Sequence, residues 1–278
     1  MAKIIDGVII ANKINTQTGK LVKTLSKRGQ SVKLAVVLIG DNQASLKYVE
    51  RKAAMAKTLG IEFILKKFPL NITPGRLAQE LKNFQAAVKP SGLIIQLPLP
   101  ERLYCPEVLN AIDTDRDVDF LNEASQGKIM FGSYDIEPPT PGAIMTILRE
   151  LKINLSGKNI TIVGMGALVG RPLVMLLDGA GSSITTCNSK TKDLPGKCRS
   201  ADILISGVGK KDLIRGNMIK PGAVVIDAGF SYEAGKSFGD VHLVEALAVA
   251  GFVTPTPGGV GPITVALLLS NTVKRAMR

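Results

Sequence analysis

Apolar residues fall in short, dense runs separated by longer stretches of mixed polarity. In the first half, 33–40 (KLAVVLIG) is a continuous apolar run of strand length, and 61–68 and 92–97 (GLIIQL) are two more, the last closed by Pro98 and Pro100. Between them, 44–59 and 77–87 carry helical spacing. The first of these helices meets a natural stop at Gly60. In the second half the strands are expected at 158–163, 183–187, 202–206 and 223–227, with helices at 168–177 and 242–250 and a closing helix from 263 to about 277. Alternation of this kind predicts parallel sheets with helices on their faces. Two stretches break the pattern. Residues 113–141, with DTDRDVD and EPPTPG, read as a domain boundary, and 254–264 (TPTPGGVGPIT) is too rich in Pro and Gly for a regular element.

A length of 278 residues, 45% of them hydrophobic, suits two α/β domains with sizeable cores. The formal net charge of +12 can attract nucleic acid, an anionic membrane or small acidic ligands. No Trp, only 4% aromatic residues and no long basic run leave few stacking platforms, which argues against nucleic acid. The charge then reads either as a solvated surface or as an attraction for phosphates and carboxylates. No stretch approaches the eighteen or so apolar residues of a membrane span, and MAKIIDGVII lacks the features of a secretory signal. Cys105, Cys187 and Cys198 make no CxxC pair, which points to a reducing, cytoplasmic setting. His242 is the one histidine and has no partner motif. Metal catalysis and hydroxyl–histidine couples are therefore set aside, and His242 is assigned a structural or surface role.

Strand 158–163 runs into Gly164-Met165-Gly166-Ala167-Leu168-Val169-Gly170 and then a helix. This G-x-G-x-x-x-G is one residue longer than the usual Rossmann spacing, with the same physics. Glycines admit a pyrophosphate close to the backbone, and the helix start offers free N–H groups. A tight turn with no ligand is the alternative. The next strand ends in Thr186-Cys187-Asn188-Ser189-Lys190, with no acid to take a ribose 2′-hydroxyl, and Ser189 and Lys190 suit a 2′-phosphate.

In DNQASLKYVERK (41–52), Asp41 or Asn42 can cap the helix that follows. Ser45, Tyr48 and Lys52 share one face, near the carboxyl edge of the sheet where α/β folds bind ligands, and Gln96 ends a strand at that edge. Spacing alone would make these a snorkelling lysine and a half-buried phenol.

Over nearly its whole length the chain resembles the bifunctional methylenetetrahydrofolate dehydrogenase/methenyltetrahydrofolate cyclohydrolase family. The resemblance rests on GDNQASLKYVERK (40–52), GLIIQLPLP (92–100), DVD (117–119), PTPG (139–142), VGxxxxVGRP (163–172), IKPGAVVIDAG (219–229), GDV (239–241) and TPxPGGVGPIT (254–264). It implies an N-terminal α/β catalytic domain (1–138, joined by the helix at about 264–278), a Rossmann-type domain (139–263) and an active-site cleft between them. It also implies NADP-dependent oxidation of 5,10-methylenetetrahydrofolate, hydrolysis of the methenyl product to 10-formyltetrahydrofolate, and a homodimer. Lys52 would be the essential catalytic residue, with Gln96 tuning its protonation. Tyr48 would pack on the folate ring and Asp119 would hold the pterin. Leu97, Pro257, Gly258, Gly259, Gly261 and Pro262 would complete the folate side. Thr140, Gly164, Met165, Gly166, Val169, Ser189, Phe230 and Gly259 would meet the dinucleotide.

Four positions depart from the family pattern. Met165-Gly166 replaces Arg-Ser, removing a grip on the 2′-phosphate, so NAD becomes an alternative cofactor. Phe120 replaces the glycine after DVD, which would reshape the pterin end. Pro139 replaces a cysteine and Asn188 a histidine. The competing functions are a monofunctional dehydrogenase, a non-catalytic folate- or nucleotide-binding protein and a basic RNA-binding protein. Retention of Tyr48, Lys52, Gln96 and Asp119 argues against the non-catalytic reading.

Overall fold

The computed structural model describes residues 1–233 and 236–278. In chain order the elements are β1 (Lys3–Ile4), α1 (Gly7–Lys27), β2 (Lys33–Ile39), α2 (Gln43–Leu59), β3 (Glu62–Phe68), α3 (Pro74–Val88), β4 (Gly92–Ile95), α4 (Pro106–Leu109), α5 (Glu123–Met130) and α6 (Pro139–Glu150). There follow β5 (Asn159–Val163), α7 (Gly170–Asp178), β6 (Ser183–Cys187), α8 (Leu194–Arg199), β7 (Ile203–Ser206), β8 (Val224–Asp227), β9 (Ser231–Glu233), β10 (Lys236–Phe238), α9 (Leu243–Val249), β11 (Phe252–Val253) and α10 (Val260–Ala276). Contacts divide the chain into two units, Met1–Asn12 with Pro139–Thr264, and Lys13–Pro138 with Val265–Arg278.

The second of these is built on three parallel strands in the order β3-β2-β4. The unbroken apolar run of β2 has a simple cause. It is the central strand, and Leu34, Ala35, Val36 and Val37 are fully buried between neighbours and helices. Asn42 Oδ1 accepts from Ser45 N at 3.1 Å and starts α2, and Gly60, at φ 76°, ends it. Residues 265–278 pack on this unit. Asn271 Nδ2 donates to Glu137 O at 2.8 Å, and Arg275 pairs with Asp135 at 3.3 Å. Gly92 is glycine because a Cβ there would sit 2.9 Å from Thr272 Oγ1.

The other unit carries six parallel strands in the order β1-β11-β8-β7-β5-β6. The sequence reading placed residues 1–12 in the N-terminal domain. The structure groups them with this sheet instead, because Lys3 and Ile4 pair with Phe252 and Val253. A two-residue strand is too short to register as an apolar run. Gly7 N donates to Gly258 O at 2.9 Å, and a Cβ on Gly7 would lie 1.7 Å from Gly259 O.

Other elements escaped the pattern. No element was assigned to the span of α1. Helix α6 starts at Pro139, inside the stretch read as irregular. Proline suits a first turn because its missing N–H would have no helical partner there. The same reason lets α10 begin at Val260, ahead of Gly261 and Pro262, where regular structure was not expected before 263. His242 caps α9, its Nδ1 accepting from Glu245 N at 3.4 Å. Among the described residues no helix is long and apolar enough to cross a membrane.

Candidate active site

The register of the three-stranded sheet sets Ile39 and Ile95 at one carboxyl edge. Gln96 continues β4 by donating its backbone N–H to Val37 O at 2.8 Å, which fixes its side chain at that edge. Lys52, on the half-buried face of α2, donates from Nζ to Gln96 Oε1 at 2.9 Å. The carboxamide cannot turn over freely, because its Nε2 donates to Leu97 O at 2.7 Å. Gln96 therefore presents an oxygen to the amine. Burial pushes the Lys52 amine below its ordinary range, and the carboxylate of Asp119 partly opposes that shift.

Asp119 sits in a turn organised by a second, buried carboxylate. Asp117 Oδ1 accepts from Leu121 N at 3.1 Å and Oδ2 from Asn122 N at 2.8 Å, curling 117–122 around it. Burial pushes Asp119 up to about 6, with Lys52 lowering it and Asp117 raising it. Tyr48, one turn before Lys52, is half-buried with Arg51 6.0 Å from its ring centre, and burial pushes its phenol up to about 12. The phenol is thus a neutral, partly apolar surface at any working pH. Phe120, expected to reshape the pterin end, has its ring in the core at 2% exposure and presents almost nothing to a ligand. Its cost lies in the backbone. At φ 57° it occupies the left-handed region natural to glycine. Burying the ring, worth about 1.5–3 kcal/mol, offsets strain of order 1–3 kcal/mol.

In the six-stranded unit, β5 ends at Val163 and the three glycines of the turn have different jobs. Gly164 has φ 100°, and a Cβ there would lie 2.7 Å from Gly207 O. A Cβ on Gly170 would lie 2.0 Å from Gly164 O, so the start of α7 can approach the strand only as glycine. Gly166 is exposed, with nothing near its Cβ position. Two glycines shape the turn and the third leaves open room beside it, which fits a pyrophosphate. Met165 and Val169 are half-buried in the same turn, and Val169 precedes the first residue of α7. After β6, Ser189 and Lys190 are exposed in a turn closed by Asn188, whose Oδ1 accepts from Lys190 N at 2.8 Å. Thr140, in the first turn of α6, meets Thr264 Oγ1 at 3.5 Å. Phe230 is half-buried past β8. Gly258, at φ 107°, and Gly259 lie in the loop after β11 gripped by Gly7, with Pro257 ahead of them, while Gly261 and Pro262 open α10.

Two buried acids outside the expected site residues, Asp227 and Asp240, hold loops at the edge of the six-stranded sheet. Asp240 is fully buried. Its Oδ2 accepts from Ser206 Oγ and Val208 N, both at 2.7 Å, and its Oδ1 from Gly209 N at 2.8 Å and Lys210 N at 2.7 Å. Asp227 Oδ1 accepts from Gly229 N at 2.9 Å and Asp240 N at 3.1 Å, and Oδ2 from Val241 N at 3.0 Å. The signal was present in the sequence, as single acids next to apolar residues, each within two residues of a glycine (VVIDAG and GDV). A Cβ on Gly229 would strike the Asp240 carboxylate at 2.1 Å, and one on Gly239 would strike Asp227 at 1.9 Å.

A glycine turn open at the edge of a parallel sheet, and a lysine–carboxamide–carboxylate cluster at the edge of another, define a two-unit α/β oxidoreductase of the dinucleotide-binding class. Comparison with known proteins narrows this. Residues 5–119 match the catalytic domain of the tetrahydrofolate dehydrogenase/cyclohydrolase family, and 138–278 match its NAD(P)-binding domain. The bifunctional protein FolD of Bordetella bronchiseptica is 41% identical over all of this chain and 98% of that protein. The crystal structure of the bifunctional FolD dehydrogenase/cyclohydrolase from Campylobacter jejuni superposes with a TM-score of 0.94 at 35% identity, covering 100% of this chain and 99% of that one. A Trypanosoma brucei FolD structure, complexed with NADP and an inhibitor, gives 0.94 at 31% identity, covering 100% and 98%. The chain belongs to the tetrahydrofolate dehydrogenase/cyclohydrolase family. It is a methylenetetrahydrofolate dehydrogenase and methenyltetrahydrofolate cyclohydrolase.

Proposed function

We propose that this chain uses NADP to oxidise 5,10-methylenetetrahydrofolate and then opens the methenyl cation to 10-formyltetrahydrofolate, with Lys52 moving the protons. The observation that carries this is the 2.9 Å bond from Lys52 Nζ to Gln96 Oε1 on an amine already depressed by burial. Asp119, acceptor-only when ionised, takes the donor edge of the pterin, and Tyr48 packs on its face. Leu97 and the segment 257–262 complete the folate side.

When bound, NADP supplies the hydride acceptor; Gly164, Met165, Gly166 and Val169 line its pyrophosphate, and Thr140, Ser189, Phe230 and Gly259 its remaining parts. Oxidation leaves a cationic methenyl carbon. Positive charge beside Lys52 lowers its pKa further, so the neutral amine is available when it is needed. As water attacks, the new C–O bond forms and Nζ takes a proton. Collapse of the adduct breaks the bond to N5 and forms the formyl C=O. One of the two water protons ends on N5, and the other leaves to solvent.

With wild-type enzyme, methylenetetrahydrofolate and NADP, methenyl absorbance is expected to rise and then decay faster than in buffer. Decay only at the buffer rate would refute the cyclohydrolase half. Met165 and Gly166 carry neither a cation nor a hydroxyl, and this favours a second reading in which NAD serves as well. Wild-type kcat/KM with NAD and with NADP distinguishes the two, and Lys190→Ala tests the grip on the 2′-phosphate. If Lys190 pairs with the 2′-phosphate, KM for NADP rises about tenfold or more, as for loss of a charged hydrogen bond, with KM for NAD unchanged. Equal effects on both would remove Lys190 from the site. The reading includes a homodimer in a cytoplasmic setting, and three free cysteines support the latter.

A further inference from the structure

In the order β8-β7-β5-β6, the glycine turn after β5 stands at the point where successive strands depart in opposite directions. Ligands of open α/β sheets bind across that point, with the adenosine ribose beside the strand that follows the glycine turn. That strand is β6, ending at Ser189 and Lys190. With the pyrophosphate on the turn, as proposed above, the nicotinamide half would extend the other way, over the loops that leave β7 and β8. Those loops are 207–210 and 228–230. The first already abuts the glycine turn. A Cβ on Gly164 would meet Gly207 O at 2.7 Å and Val208 Cγ2 at 3.0 Å. Val208 is nevertheless 47% exposed, an apolar side chain displayed at that edge.

A single side chain shapes loop 207–210. Three successive backbone N–H groups, from Val208, Gly209 and Lys210, converge on the Asp240 carboxylate, and Ser206 Oγ is the fourth donor. Asp240 is itself tied through its backbone N–H to Asp227, the last residue of β8, whose Oδ1 also holds Gly229. Both loops facing the nicotinamide half thus hang from one buried carboxylate pair. Asp227 is pushed up to about 7 by burial, helped by the charge of Asp240.

We propose that Asp240 is a positioning residue for the nicotinamide half of the dinucleotide, and that Val208, displayed by the loop it moulds, contacts that half. This rests on the reading that the dinucleotide occupies the turn 164–170. Neither residue was among those singled out from the sequence.

The reaction offers its own control, because hydrolysis of added methenyltetrahydrofolate needs no dinucleotide. In Asp240→Asn an N–H donor replaces one acceptor oxygen and opposes two of the four donors. The expected result is a fall of about tenfold or more in dehydrogenase kcat/KM for the dinucleotide, with hydrolysis in the absence of dinucleotide kept within about twofold. An equal fall in both activities would assign Asp240 a merely structural role, and an unchanged kcat/KM would remove it from the site. Either outcome overturns the proposal. Should Asp240→Asn fail to fold, Ser206→Ala removes one donor only. It is expected to lower dehydrogenase kcat/KM about threefold or more with hydrolysis unchanged, and no change in a folded Ser206→Ala would overturn the proposal. Wild-type protein that fails to bind NADP or NAD by titration calorimetry would refute the dinucleotide reading itself. Binding that is insensitive to both variants would refute only this inference.

Discussion

Replacing Lys52 with Ala is expected to cut hydrolysis of methenyltetrahydrofolate by about 10²–10⁴-fold, the usual contribution of a positioned acid–base group. Lys52→Arg should fall as far, although it keeps the charge, because a guanidinium does not deprotonate at any working pH. The pair of variants separates proton transfer from charge. If Arg restored hydrolysis, the amine would be acting as a cation and the mechanism above would be wrong. The pH profile gives a second handle. Burial lowers Lys52 from 10.5, so the neutral base appears, and hydrolysis rises, at lower pH than for an exposed lysine. Asp119 moves in the opposite sense, from 3.8 up to about 6. Below that pH its carboxyl is protonated in the folded enzyme and no longer presents two acceptors, so KM for the folate should climb as pH falls through 6. The sign for stability is the reverse. The fold disfavours the ionised form, so this group costs stability progressively as pH rises from about 4 through 6. A folate KM that is flat between pH 5 and 7 would exclude Asp119 from recognition of the pterin.

Gly170→Ala and Gly166→Ala are expected to fail in different ways. At Gly170 the added methyl would lie 2.0 Å from Gly164 O and 2.9 Å from Met165 Cα, both backbone atoms that no rotamer change can clear. Overpacking of this kind costs about 1–3 kcal/mol and occasionally more, so thermal unfolding should shift down by several degrees and dinucleotide binding should weaken with it. At Gly166 nothing lies within reach of the added methyl. Stability should hold while affinity for the dinucleotide drops, because only the ligand would occupy that space. Differential scanning fluorimetry with and without NADP checks both. Undiminished NADP affinity in Gly166→Ala would show that the pyrophosphate does not approach this glycine.

Long, strongly patterned elements could be read from the chain within a residue or two. Strand β2 is central and helix α2 is capped, and their apolar spacing, Asn42 and Gly60 are local signals. The pairing of Lys52 with Gln96 was less accessible. Helical spacing by itself favoured a surface lysine, and what joins the two residues is the parallel register of β2 and β4, which no local pattern reports. Helix α6 was hidden because its Pro-rich start looks like a linker until one asks which N–H groups a first turn can spare. Asp240 was hidden for a different reason. Three of its four partners are backbone N–H groups, which leave no trace in side-chain identity, and the nearby glycines are the hint that a carboxylate must fit there. The clash positions at Gly229 and Gly239 show why those glycines are needed.

The pairing of Lys3 and Ile4 with Phe252 and Val253 also bears on how the molecule comes into being. A ribosome releases β1, an edge strand of the six-stranded sheet, before every other described strand, and its neighbour β11 after all of them. Contacts that close so long a loop form late. Until residue 253 has emerged, Ile5, 5% exposed in the finished protein, has no burial site there, and a chain stopped short would display unpaired strand groups of the kind that recruit other chains. The two units are therefore poor candidates for expression as halves cut at 138. One half would lack the strand that completes its sheet, and the other would lack residues 265–278, on which Gly92 and Asp135 pack.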